Sequence, residues 1–452
     1  MKKKKKQRKP ISKKEFIFNV ISLLLLISVG VFYEVRAYHF FKEEKTQKVL
    51  TDATLNGAVL DNNKIATSGS GLYKDNDGYY FKGDVNNNYV KFANRLFRII
   101  RVNENGSVKL ISYDLVGSFM NGNTTYENGN VRMFLNKTNN KINDTDHSGV
   151  YYDTIPNGDY FLKTTKYSID KINKDKVEKS DKEFKDYITT LTLDDYITAG
   201  GKNSFLNISK YFYIIGIEGD NNILSVYEDG TIEPIDSSES SGVRAVFTLK
   251  KNLKITQGNG SIENPYTIDQ KSYKNYVDNY IRLGNNMWKV YYDKNKVIKL
   301  ALNGYYMQNN TFVKTNFATE DNIFDENNRH NIGYVLNHDL YNSLYYNNII
   351  LNNNYYIGSI GEENKYSYSS IYSNSINTKI GLLNIFDYNN TLFLDDFYMM
   401  NANDDNVIYV YKNNGVLEEV SANDERLVVP VIALNKGIIK RGSGSIDDPY
   451  EV

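Results

Sequence analysis

The sequence predicts an α+β protein: two tandem homologous domains of antiparallel hairpins and short helices, standing after one N-terminal transmembrane helix. Three observations carry that expectation. A nine-residue phrase occurs twice, as Gly258-Asn259-Gly260-Ser261-Ile262-Glu263-Asn264-Pro265-Tyr266 and again as Gly442-Ser443-Gly444-Ser445-Ile446-Asp447-Asp448-Pro449-Tyr450, identical at six of nine positions. Alternating apolar runs joined by Asn-Gly or Asp-Gly recur in both halves. A basic tail followed by an uncharged stretch opens the chain.

The N-terminus comes first. Residues 1–15 form a basic tail with Lys at positions 2–6, then Arg8, Lys9, Lys13 and Lys14. Residues 16–33 carry no charge, and at about 1.5 Å per residue a helix of that length nearly spans a hydrocarbon core of about 30 Å. The positive flank would hold its end in the cytoplasm and send the rest outward. This predicts a single-pass protein of the cell membrane with an extracellular C-terminal region. A second reading is a signal peptide cut after Ala37, for which Val35 and Ala37 supply small residues. Residues 34–71 read as a linker ending in Ser68-Gly69-Ser70-Gly71, with a short helix near 41–54.

Repeat one is placed at 72–269 and repeat two at 270–452. Asn88-Tyr89-Val90 aligns with Asn279-Tyr280-Ile281, and eight residues after each Tyr comes Phe97 or Trp288. Asn105-Gly106, Asp229-Gly230 and Asn414-Gly415 mark hairpins, because a type I′ turn needs φ > 0 twice. Asn130 and Asn331 head matching apolar stretches and are read as helix N-caps. Leu191 to Tyr196 aligns with Leu383 to Tyr388. The segment Lys163–Lys185, rich in Lys, Asp and Glu, reads as a solvated helix or insertion.

Composition limits function. The chain has 452 residues and no Cys, which removes disulfides, thiolate nucleophiles and Cys metal sites. Taking the nine bases and one acid of 1–33 from totals of 54 each leaves 45 bases against 53 acids, a net of −8 beyond residue 33. An acidic body argues against nucleic acid as a partner. No cofactor is expected: no His-Glu-x-x-His, nucleophile elbow or phosphate-cradling loop occurs. His39, His147, His330 and His338 do not recur between the repeats, and Asp75-Asn76-Asp77-Gly78 and Asn143-Asp144-Thr145-Asp146 read as turns rather than Ca²⁺ loops.

Asn88-Tyr89-Val90, Phe97-Arg98-Ile99-Ile100-Arg101, Asn331-Ile332-Gly333-Tyr334, Ile380-Gly381-Leu382-Leu383 and the Gly-Ser-x-x-x-Pro-Tyr phrase resemble a family of uncharacterised repeat domains in surface proteins of low-GC Gram-positive bacteria. That resemblance implies surface display and no particular activity. Gly242-Val243-Arg244 is similar to the closing strand of C-type-lectin-like and sulfatase-modifying-factor-like domains. Leu427-Val428-Val429 departs from it, and the cysteines of the oxidases in that group are missing.

Two functions follow as expectations. In the first, the paired domains bind a cell-wall polymer, a glycan or a protein, gaining avidity from duplication. Clustered Tyr would supply the contacts, with Tyr355, Tyr356, Tyr366 and Tyr368 as the ligand-contact candidates. In the second, Asp195 or Asp387 serves a carboxylate-dependent hydrolase. Catalytic and metal-ligating residues are otherwise not assigned.

Overall fold

The computed structural model describes residues 53–452 apart from 137–148, 174–175, 179, 181–182, 219–220, 271–274, 295, 320–322, 358–374, 385–386, 388–393, 403–406 and 413. Among the described residues strand makes up 41% and helix 16%, so the fold is mostly β, in several curled sheets, and not the expected α+β. Among the described residues helix is confined to short pieces such as Leu55–Asn62, Asn130–Leu135, Leu193–Thr198 and a run from Ile332 to Ser343. The described residues of the segment Lys163–Lys185 are largely strand as well, in short pieces that include Lys171–Asn173 and Lys176–Glu178. Thr165–Ser168 pairs antiparallel with Glu183–Asp186, burying Tyr167 and leaving Lys166 and Lys185 in water. A ribbon with only one face covered has the same composition as a solvated helix, which is why the charges misled.

The membrane expectation is also corrected. The apolar stretch 16–33 lies outside the described residues, and among the described residues no helix is long and apolar enough to cross a membrane. The single-pass location built on that stretch therefore has no structural support and is not carried forward. Residues expected to be linker pack instead: Leu55–Asn62 is a helix capped by Thr54, with Leu55, Ala58 and Val59 buried.

The strand pairings before and after residue 270 match. In the first half one sheet runs, in space, Ile188–Thr189, Val246–Leu249, Val108–Ser112, Arg95–Asn103, Tyr89–Phe92, Tyr266–Ile268. In the second half the order is Ile380–Gly381, Val431–Asn435, Val297–Leu302, Asn286–Lys294, Tyr280–Leu283, Tyr450–Glu451. The last pair is parallel in each, setting Tyr266 against Val90 and Tyr450 against Ile281. The register breaks at Ile99/Arg101 and at Val290/Tyr292, equivalent places. A second sheet agrees too, with Gly117–Met120, Ser240–Val243, Phe212–Glu218, Asn221–Val226, Ile232–Pro234 answered by Lys314–Thr315, Arg426–Leu427, Phe397–Ala402, Val407–Tyr411, Leu417–Ser421. Phe97 and Trp288 are both core residues.

Local chemistry explains the joints. At Asn105-Gly106, Asp229-Gly230 and Asn414-Gly415 only the glycine takes positive φ, at 81°, 82° and 93°. Each is thus a type I turn closed by a left-handed glycine, not the I′ turn expected. Asn331 caps its helix by accepting from Gly333 N–H, but Asn130 lies inside its helix, whose start is met by the Asn121 side chain accepting from Val131 N–H. Asn136 and Asn337 both fix the helix to a strand, accepting from Ile188 and Ile380 N–H respectively.

The repeated phrase is a clamp. Asn264 N–H donates to Ser261 Oγ and Asp448 N–H to Ser445 Oγ. Gly260 and Gly444 carbonyls accept from Tyr89 and Tyr280 N–H, fastening each phrase to the strand its own Tyr flanks. Gly260 has φ 87° and Gly444 φ 81°, and the space beside each is filled.

The two halves share one apolar core. At one contact Arg95, the first residue of the strand Arg95–Asn103, is ion-paired with Asp278, which also faces Lys289 at 3.8 Å. Asn275 Nδ2 donates to the Thr154 carbonyl beside it. At a second contact the Asn414-Gly415 turn of the second half inserts into the wall of the first. Ser118 Oγ donates to the Gly415 carbonyl at 2.6 Å, Tyr211 N–H to the Asn414 carbonyl, and Leu417 N–H to Ser240 Oγ.

Candidate functional site

The first half carries a groove of about 670 Å³ on the face of its main sheet. Its floor comes from the strands Arg95–Asn103 and Val108–Ser112, which contribute Arg101 and Lys109. Their alternation turns Val102, Val108 and Leu110 into the core and these two cations outward. One bank is the charged ribbon, with Lys163, Thr165, Lys166 and Lys185. Other parts come from the helix Leu193–Thr198 and the turns holding Asp77 and Glu104.

The floor cations are matched internally. Arg101 makes a two-pronged pair with Asp75, both contacts at 2.7 Å, and its guanidinium lies 5.3 Å from the Tyr80 ring centroid. Tyr80 stacks on Tyr73 at 5.7 Å. The Asp75 carboxyl is held below its ordinary value of 3.8, chiefly by the Arg101 hydrogen bonds. A depressed carboxyl adds stability that is present above the unfolded value and is lost as pH falls through the folded one. We expect Asp75, followed by NMR, to titrate below 3.8 in the native chain, and Arg101→Gln to move its midpoint upward. An unchanged midpoint would deny the pairing.

Lys109 is ion-paired with Asp195, whose carboxylate also accepts from Thr192 Oγ1 at 2.8 Å, while Thr192 Oγ1 accepts from Asp195 N–H. This is a reciprocal cap at the start of a helix. The same two positions recur in the second half as Lys299 and Asp387. There, burial pushes the Lys299 ammonium down and the Asp387 carboxyl up, each partly opposed by the other's charge. Lys299 lies 5.2 Å from the Tyr292 ring centroid and 5.8 Å from that of Tyr355. Asp387 accepts from Asn384 N–H.

The tyrosine candidates fare differently. Tyr355 is not an exposed contact residue: it is 3% exposed and its hydroxyl donates to the Val431 carbonyl. It sits on the ribbon Asn353–Tyr356 and Ser375–Thr378, where Tyr167 sits in the first half, and both are buried. An amphipathic ring fits a core as readily as a surface. The Tyr356 side chain, Tyr366 and Tyr368 lie outside the described residues. His39, His147 and the 143–146 turn lie outside them as well, while His330 is exposed and His338 stacks on Tyr334 at 4.1 Å. Among the described residues no group of three or more His, Asp or Glu is placed to hold a metal. Arg244 is fully buried and donates to the Ser112 and Leu206 carbonyls, a packing role.

Sequence reasoning missed the groove. Its residues run from Asp77 to Thr248 and no short spacing joins them. Compared with protein-family models, with curated proteins and with solved structures, the chain matches none.

Proposed function

We propose that this chain is a binding protein made of one module copied twice, and that the groove of the first copy takes an extended glycan-type polymer. The observation that carries this reading is the groove itself: about 670 Å³, walled by Thr164, Thr165, Thr198 and Thr248 with Asn103, Asn105 and Tyr80 beside them. Hydroxyl and amide groups on a fixed sheet suit a ligand recognised by many hydrogen bonds. The pairing of Asp195 with Lys109 and Thr192 supports binding over hydrolysis, because that carboxylate is engaged in the fold.

The test is calorimetric titration of the full chain with soluble glycan oligomers, beside Thr198→Trp, which fills the groove from a half-buried position at a helix end. Binding is expected to the native chain and to weaken about tenfold or more in the variant, about 1.4 kcal/mol. Equal affinity in both would move the site elsewhere. New reducing ends that disappear in Asp195→Asn would replace the binding reading with a hydrolytic one.

A further inference from the structure

We infer that the polymer taken by this groove is anionic: a glycan carrying carboxylate or phosphate groups that lie against Lys163, Lys166 and Lys185. This rests on the groove being a glycan site. The argument starts from strand register. Thr165–Ser168 and Glu183–Asp186 pair so that Lys166 stands directly opposite Lys185. Like charges in that relation destabilise a strand pair. Glu183 answers Lys166 at 2.6 Å, but their side chains are 68% and 55% exposed, so water screens the contact. Lys163 ends the neighbouring strand, opposite Thr248, and is exposed. Three lysines thus line one bank, where among the described residues their one carboxylate partner is the exposed Glu183 of Lys166, whereas the cations of the floor, Arg101 and Lys109, are matched by the less exposed Asp75 and Asp195.

Such a concentration is out of keeping with a chain whose net charge beyond residue 33 is −8. It costs stability in the free protein and is relieved when an anion arrives. The remaining carboxylates of the groove, Asp77, Glu104 and Asp194, sit on two turns and a helix rather than on the ribbon. They repel an anion from those places and so set the ligand's charges at the lysine bank. A polymer charged at every unit, such as a nucleic acid, meets both regions and is disfavoured. A glycan with spaced charges is not.

The experiment uses the full chain and four probes at about 50 mM salt, where screening is weak: a hyaluronan oligomer, with a uronate on alternate sugars, a phosphate-bearing mannan, a neutral dextran oligomer and oligo-dT. The triple variant Lys163→Gln, Lys166→Gln, Lys185→Gln is measured beside it. At least one anionic glycan is expected to bind about tenfold tighter than dextran, with the advantage lost in the triple variant and at high salt. Uronate against phosphomannan identifies the anionic group. The variant's thermal midpoint is expected to be no lower than that of the native chain, because a like-charge pair has been removed. Equal binding of dextran and the anionic glycans, with Thr198→Trp abolishing both, would overturn the anionic assignment and leave the glycan groove standing. No binding by any sugar would overturn both, and tightest binding by oligo-dT would overturn the assignment in favour of nucleic acid.

Discussion

Gly260→Ala is expected to lower stability by about 3 kcal/mol or more, and Gly444→Ala by a similar amount. Two costs combine. A non-glycine residue at φ near +85° carries about 1–2 kcal/mol of backbone strain. A forced contact in a packed region adds about 1–3 kcal/mol. The added Cβ at Gly260 would lie 2.2 Å from the Asn87 carbonyl oxygen, and at Gly444 it would lie 2.5 Å from Tyr450 Cε2 and 2.8 Å from Asn279 Oδ1. Gly69→Ala is the control, with φ 71° and nothing within 4 Å, so only the backbone cost remains. Urea unfolding of the three variants checks this. A Gly260→Ala midpoint no lower than that of Gly69→Ala would mean that the phrase does not lie against its strand.

Asp278→Ala is expected to cost about 3–5 kcal/mol, the range for breaking a buried ion pair from one side. The Arg95 and Asp278 side chains are 4% and 6% exposed, and Lys289 is 10% exposed. Lys289 can give up its proton, since burial already pushes its ammonium down. Arg95 cannot, so its guanidinium carries most of the penalty. Replacing both partners, Arg95→Met with Asp278→Leu, is expected to recover much of the loss. A double-mutant cycle measures the coupling. A value near zero would show that the two halves do not meet there.

The parts of the fold that were legible are those written in backbone chemistry. A phrase with two glycines at positive φ and a proline follows a backbone path that few other residues can adopt, so its recurrence signals a recurring joint. Asn136 and Asn337 stood at matching places in the sequence and make matching strand contacts. What could not be read depended on which face of an element finds a partner. Tyr355 and Tyr167 carry no mark that separates a core ring from an exposed one. Lys166 and Lys185 are 19 positions apart in sequence and become neighbours only through the ribbon's register. Asp278 is one acid in a polar connector, and its burial depends on an arginine 183 residues earlier. Asn105-Gly106 announced a turn correctly, but the loop length that selects its type is set by strand pairing.

The Asn414-Gly415 turn has a consequence for the ancestry of the chain. A Cβ at Gly415 would meet the Tyr211 carbonyl oxygen at 2.5 Å and Leu115 Cδ1 at 2.8 Å, so the tip is fitted to a slot that only the other copy supplies. Once that insertion arose, a reversion to a single-copy gene would leave an unfilled slot in one product or a stranded tip in the other. The arrangement works as a ratchet: the copies are free to diverge at their surfaces, but neither can be shed.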